Sequence, residues 1–283
     1  MTTPNQTMPP SAGAISTCQP PSLFHGGYLL LDPGAFRATE ELTPLHGRVC
    51  VPTNWSGDLT GLPMLIDLRQ CGERQVQWLE SIVGEEYEAQ QLEPLSRPRI
   101  CAHLKAPVPV DALASHLANQ MLVLPIDKTR NRSGQGALWR FFDPRVFANL
   151  CWLLNPDQLA VLLAPVSTWA FPWFGNWFAI DMAANGGSTL DEIPQERIAG
   201  FTPIEIDLWA RAQRIALVNQ VLARLALPRD LSWAQRAAQA MRIEPDLAVM
   251  LTPEDYDHLA QRHAMITEPL PPADTSNTRT LGT

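Results

Sequence analysis

The residue patterns that most often announce catalysis do not occur in this sequence. A nucleophile elbow needs Gly-x-Ser-x-Gly, a zinc protease His-Glu-x-x-His, and a phosphate-cradling P-loop a glycine-rich run ending in Gly-Lys-Ser/Thr; all three are missing. His258 and His263 lie five apart on an expected helix, which turns them away from one another and not onto one metal-binding face. Cys18, Cys50, Cys71, Cys101 and Cys151 are widely spread and include no pair at zinc-ligand spacing. Gly134 and Gly136, with Lys128, Arg130 and Arg132 nearby, have the residue types of an anion cradle, but the pattern reads first as a solvated loop between two strands. Glu80, Glu85, Glu86, Glu88 and Glu93 contain carboxylates for acid–base work, but such a run reads as an exposed helix face. No catalytic residues, metal ligands or cofactor site are assigned.

Composition narrows the partners. The 283 residues carry 21 Lys and Arg against 29 Asp and Glu, a formal net charge of −8, so a phosphate backbone would repel the chain and nucleic acid is not expected as a partner. The most apolar stretches, such as 159–165, end well short of the ~20 residues a membrane span needs, so no membrane association is expected. Scattered cysteines fit a reducing compartment, and the location expected is the cytoplasm. Residues 1–24 carry Pro4, Pro9, Pro10, Pro20 and Pro21 and no charge, which reads as a disordered arm and not as a signal peptide.

The elements that would position any site follow from periodicity and turn chemistry. Strands are expected at 28–31, 64–68, 99–104 and 121–126, and helices at 73–83 and 110–119, where Leu113 and Leu117 share a face. Strands alternating with helices predict βαβ units and a partly parallel sheet. The loop 127–136 should close a hairpin onto 137–142. Asp143 caps a helix that begins at Pro144, and Asn155 with Gln158 forms a capping box. The same pattern at Thr202–Glu205, at Ser232–Gln235 and from Thr252 predicts further helices. In the longest, Leu208, Ala212, Ile215 and Leu222 share a face with Asn219. The fold class expected is α/β: an N-terminal mixed-sheet α/β lobe over 25–185, then a C-terminal all-helical lobe over 200–268 and a disordered tail over 269–283.

One segment carries more than fold. Trp139-Arg140-Phe141-Phe142-Asp143-Pro144-Arg145-Val146, followed by Leu153-Leu154, Asn155-Pro156-Asp157-Gln158-Leu159 and Ala164-Pro165-Val166 with Trp169, resembles the signature of the type VI secretion effector adaptor and chaperone family. Members commonly show an arginine, two aromatics and Asp-Pro-Arg, then a Gly-Pro step before a tryptophan; Ala164 stands here in place of that glycine. A looser likeness runs upstream through 28–32 and 63–68, so the resemblance spans positions 26 to 178. It implies a non-enzymatic intracellular adaptor that binds a particular toxin effector protein and loads it onto the VgrG spike protein. It implies a structural role for Arg140, Phe142, Asp143, Pro144, Arg145, Pro165 and Trp169, because effector recognition must differ between members. From the residues alone, the first reading of Arg140 and Arg145 is a structural corner in which arginine pairs with carboxylate, and the second is a docking point.

Six large aromatics, Trp169, Phe171, Trp173, Phe174, Trp177 and Phe178, fall within ten positions. Two readings stand: an intramolecular core, or a partner-binding face centred on Phe171, Trp173, Phe174 and Trp177, tryptophan being the residue most enriched in binding hot spots. Two other functions also stand, an immunity protein that neutralises a toxin and an unfamiliar enzyme that uses Lys128–Arg132 on an anionic substrate.

Overall fold

Every residue of Tyr28–Leu31 is apolar because this strand is covered on both faces. The computed structural model describes residues 15–36, 45–53, 55–92, 96–173, 175–182, 197–198, 200–224, 239 and 242 of the 283. Its main sheet has seven strands: β1 (Ile15–Cys18), β2 (Tyr28–Leu31), β3 (Arg48–Val49), β4 (Met64–Asp67), β5 (Ile100–Lys105), β9 (Thr168–Trp173) and β10 (Asn176–Asp181). They lie in the order β1-β10-β9-β5-β2-β4-β3. Tyr28 and Leu30 point into one apolar cluster and Leu29 and Leu31 into another, as the period of two requires. Helix α1 (Glu73–Leu92) covers the second face with Val76, Leu79, Ile82 and Val83. Helices α2 (Val110–Met121), α3 (Pro144–Leu153) and α4 (Pro156–Leu163) cover the first.

The partly parallel sheet expected from the strand–helix alternation is corrected in its main part. β2 inserts between β4 and β5 and runs antiparallel to both, so the crossover through α1 joins two strands of like direction that never touch. Every ladder of the seven-stranded sheet is antiparallel. The tight join before β2 depends on Gly27 (φ 97°), where a Cβ would lie 2.7 Å from the Leu104 carbonyl oxygen.

The arm expected to be disordered over 1–24 is corrected from residue 15 onward. β1 pairs with β10 along the sheet edge, with Cys18 opposite Trp177, and Leu23 is buried in the core. Residues 1–14 and the expected tail lie outside the described residues.

A second, four-stranded sheet sits beside the first. β6 (Leu122–Asp127) leads directly out of α2 and pairs antiparallel with β7 (Arg132–Ser133) and β8 (Ala137–Leu138), closing the expected hairpin. On its other side β6 pairs in parallel with β11 (Thr202–Glu205). That strand corrects the helix expected to start at Thr202: the backbone there joins the β6 ladder, and α5 begins only at Ile206 and runs to Arg224. Thr202 uses its hydroxyl on the Asn119 carbonyl and not on a helix cap. Leu208 and Ala212 are half-buried, whereas the side chains of Ile215, Asn219 and Leu222 and the helices expected from Ser232 and Thr252 lie outside the described residues.

Candidate functional site

Asp32 leaves the end of β2 with its side chain almost wholly buried, and the adaptor-like segment closes over it. Arg97 donates to both carboxylate oxygens at 2.8 Å, and Arg140 donates through Nη2 to Oδ2 at 2.8 Å. Gly34 N–H adds a fourth bond, and Arg140 Nη1 continues to the Gly61 carbonyl at 2.9 Å. The Arg140 guanidinium also lies 4.8 Å from the centroid of the buried Phe142 ring. One carboxylate therefore ties together the ends of β2, β4 and β5 and the turn before α3. Charge-assisted, forked bonds of this kind fix orientation as well as energy.

The second half of the segment repeats this chemistry locally. Asp143 caps α3 by accepting from Arg145 N–H at 3.0 Å, and its oxygens take the Arg145 side chain at 3.0 and 2.7 Å. Pro144 supplies the first helical position, where no N–H is needed. Asp67 and Arg69 form the same i, i+2 clasp at the opposite end of the sheet. There, burial pushes the Asp67 carboxyl up, but hydrogen bonds from Arg69 and Gln70 outweigh it and hold it below the usual carboxylate range. Arg140, Phe142, Asp143, Pro144 and Arg145 thus form one corner of the fold. Pro165 follows Ala164 through a cis peptide and opens the turn into β9, where Trp169 is fully buried.

The partner-binding face expected of Phe171, Trp173 and Trp177 is corrected by their burial. All three are at most 4% exposed. β9 and β10 form a hairpin around Gly175 (φ 73°), so the aromatic run folds back on itself and its two faces enter two different cores. Trp169, Phe171, Trp173 and Phe178 join the cluster under α3, while Trp177 joins the one under α1. Phe147 of α3 stacks on Trp169 with centroids 4.7 Å apart and meets Phe171 edge-on at 5.0 Å. Phe174 lies outside the described residues.

The other candidates are likewise accounted for by packing. In the basic loop, the Asp127 carboxylate accepts from the N–H groups of Thr129 and Arg130, so it occupies donors that a phosphate would need. The glutamates of α1 divide: Glu86 is buried and holds the Arg99 guanidinium at 3.0 Å, contrary to a uniformly exposed face, while Glu85 meets the same arginine from solvent. Glu80 accepts from Leu23 N–H, and Glu93 lies outside the described residues, as do His258 and His263. Burial pushes the Cys50 thiol up to about 12 and Cys18 to about 11, and raises Cys101 as well, so these thiols stay protonated and unreactive at neutral pH.

Sequence reasoning passed over a pocket of about 500 Å³ between α4, β6, β11 and the start of α5. Trp139, Val161, Ile204 and Leu208 give it an apolar lining, and Trp139 packs edge-on against Trp209 at 6.3 Å. Volume and lining both fall in the range of natural ligand sites. Gln120 also lines it, at a position three residues after Leu117 on the apolar face of α2. A polar side chain in an apolar stripe was the sequence signal available.

Beneath this pocket, His116 hydrogen-bonds through Nε2 to the Leu162 carbonyl at 3.1 Å; because a carbonyl only accepts, the ring is the donor. Burial holds the His116 pKa below its ordinary value, against the smaller upward pull of that bond. The unfolded chain therefore takes up a proton near pH 6.5 that the folded chain refuses, and stability falls as pH drops below that value. His103, buried and bonded to the Gly26 carbonyl, acts in the same direction. Thermal melting at pH 7.5 and 5.5 should show a loss on acidification that is smaller in His116→Gln; an equal loss in both proteins would remove His116 from the explanation.

No family model matches this chain, no curated protein matches it, and no solved structure matches it. Among the described residues no helix is long and apolar enough to cross a membrane, and no group of three His, Cys, Asp or Glu side chains could hold a metal ion.

Proposed function

We propose that this chain is a non-enzymatic bacterial adaptor that binds a toxin effector protein in the cytoplasm and loads it onto the VgrG spike of a type VI secretion system. The reading rests first on the resemblance carried by Trp139–Val146 and Asn155–Trp169. The observation that carries it further is the position of Trp139. This residue opens the motif, and it lines an apolar pocket of about 500 Å³ next to the Asp32–Arg140 corner. The motif thus braces a concave apolar surface of the kind that receives a partner's anchoring side chains. Arginines clasped onto the buried carboxylates of Asp32 and Asp143 give that corner one fixed geometry, which suits a surface that must be preformed to hold cargo.

The test is co-expression of the tagged chain with a toxin encoded beside it and with the spike protein. The toxin should copurify with the chain, and its release into the medium should require the chain. Protection of the host from the toxin without any effect on release would mark an immunity protein. Turnover of an anionic substrate that is lost in Arg130→Ala would mark an enzyme, and either outcome replaces the adaptor reading.

A further inference from the structure

We infer that the pocket between α4, β6, β11 and α5 receives a short peptide segment of the protein partner, with a large apolar side chain inside and a basic residue beside it. The inference rests on the reading of this chain as a protein-binding adaptor. Its starting point is Gln120. That residue is only 3% exposed, lines the pocket, and its carboxamide has no hydrogen-bond partner among the described residues. A carboxamide that faces the pocket and makes no bond inside the fold offers both a donor and an acceptor to whatever enters, and so suits a group that both donates and accepts. A backbone amide does both: its N–H can donate to the Gln120 oxygen while its carbonyl accepts from the Gln120 nitrogen. An apolar side chain next to that amide would then meet Trp139, Val161, Ile204 and Leu208.

The rim sets the charge of the segment. Asp157 and Glu205 are exposed there, and neither is in an ion pair among the described residues; Lys128 is the one basic side chain in the lining. Two acids against one base favour a segment that carries Lys or Arg outside the apolar anchor. Ile198, 40% exposed, adds an apolar shoulder on which the segment can continue. A purely hydrocarbon ligand would leave the carboxamide unsatisfied, and an acidic one would meet a net negative rim.

The probe is a phage-displayed library of dodecapeptides, selected on the immobilised full-length chain and followed by fluorescence polarisation with individual labelled peptides. The expected result is a set of peptides that share a large apolar residue and a nearby Lys or Arg. Gln120→Met, which keeps the length of the side chain, should weaken their binding about tenfold, the effect of a lost buried amide pairing. Melting temperatures of the variant and the parent should match, since the carboxamide makes no bond inside the fold. Val161→Trp, which fills the pocket, should abolish binding. No enriched peptide, or binding that both variants leave unchanged, overturns the inference. A dimer of the parent chain that Val161→Trp converts to a monomer assigns the pocket to a second copy and overturns it as well. If toxin capture survives both variants, the peptide assignment fails and the adaptor reading stands; if peptides bind as expected but no effector is exported, the reverse holds.

Discussion

Trp169→Ala is expected to cost about 3–5 kcal/mol of folding stability, the range for truncating a fully buried large aromatic. Trp169 has no exposed surface, stacks on Phe147, and lies 6.2 Å from Phe141. Its removal opens a cavity at the junction of β9 and α3 whose walls are themselves aromatic and rigid, so collapse can recover little of the loss. For a chain whose total stability lies in the usual range of about 5–15 kcal/mol, this is a large fraction. Urea titration followed by circular dichroism would measure it, and a midpoint within error of the parent would show that the ring is not a core element. Binding experiments with such a variant would confuse unfolding with loss of contact, which is why the pocket variants at Gln120 and Val161 are the better probes of recognition.

Asp32→Ala is expected to cost about 3 kcal/mol, the low end of the range for breaking a buried ion pair by removing one partner. The low end applies because the stranded groups, Arg97 and Arg140, keep 41% and 30% of their side-chain surface in water and can be rehydrated, whereas Asp32 itself is 2% exposed. The loss goes beyond charge, since one carboxylate joins Arg97, Gly34 and Arg140 and, through Arg140, the Gly61 carbonyl. Loss of the clasp should also loosen the turn that carries Trp139 to the pocket. Hydrogen exchange of residues 139–146 would rise in the variant if the clasp holds this turn. Unaltered exchange together with an unaltered denaturation midpoint would reduce the Asp32 cluster to a surface decoration.

These two residues show where sequence reading reached and where it stopped. Trp169 is marked by its motif and by the density of aromatics around it, but whether the run forms an intramolecular core or a partner-binding face depends on the hairpin at Gly175 and on what packs above and below. Asp32 stands out in the sequence only as the last position of the looser likeness over 28–32. Its arginine partners lie 65 and 108 positions away, beyond anything local spacing can show. Gln120 fell one residue past the expected end of α2, and its importance comes from the empty space beside it.

What the sequence determined by itself is the set of structures whose causes lie within about four residues. The cap of α3 by Asp143 with Pro144 behind it, the capping box of Asn155 and Gln158, and the apolar runs of β2, β4, β5 and β6 follow from bonds and periodicities of that range. The tertiary structure alone decided that β2 separates β4 from β5, that Thr202–Glu205 extends the β6 sheet in place of starting a helix, and that the tryptophans face inward. The physical reason is common to all three. A backbone with exposed N–H and C=O groups, or a large aromatic ring, takes whichever partner the assembled chain brings within reach, and burial then outweighs local preference. The aromatics that mark this chain in sequence, Trp169, Phe171, Trp173 and Trp177, are accordingly buried, and the apolar pocket opens beside the motif that Trp139 begins.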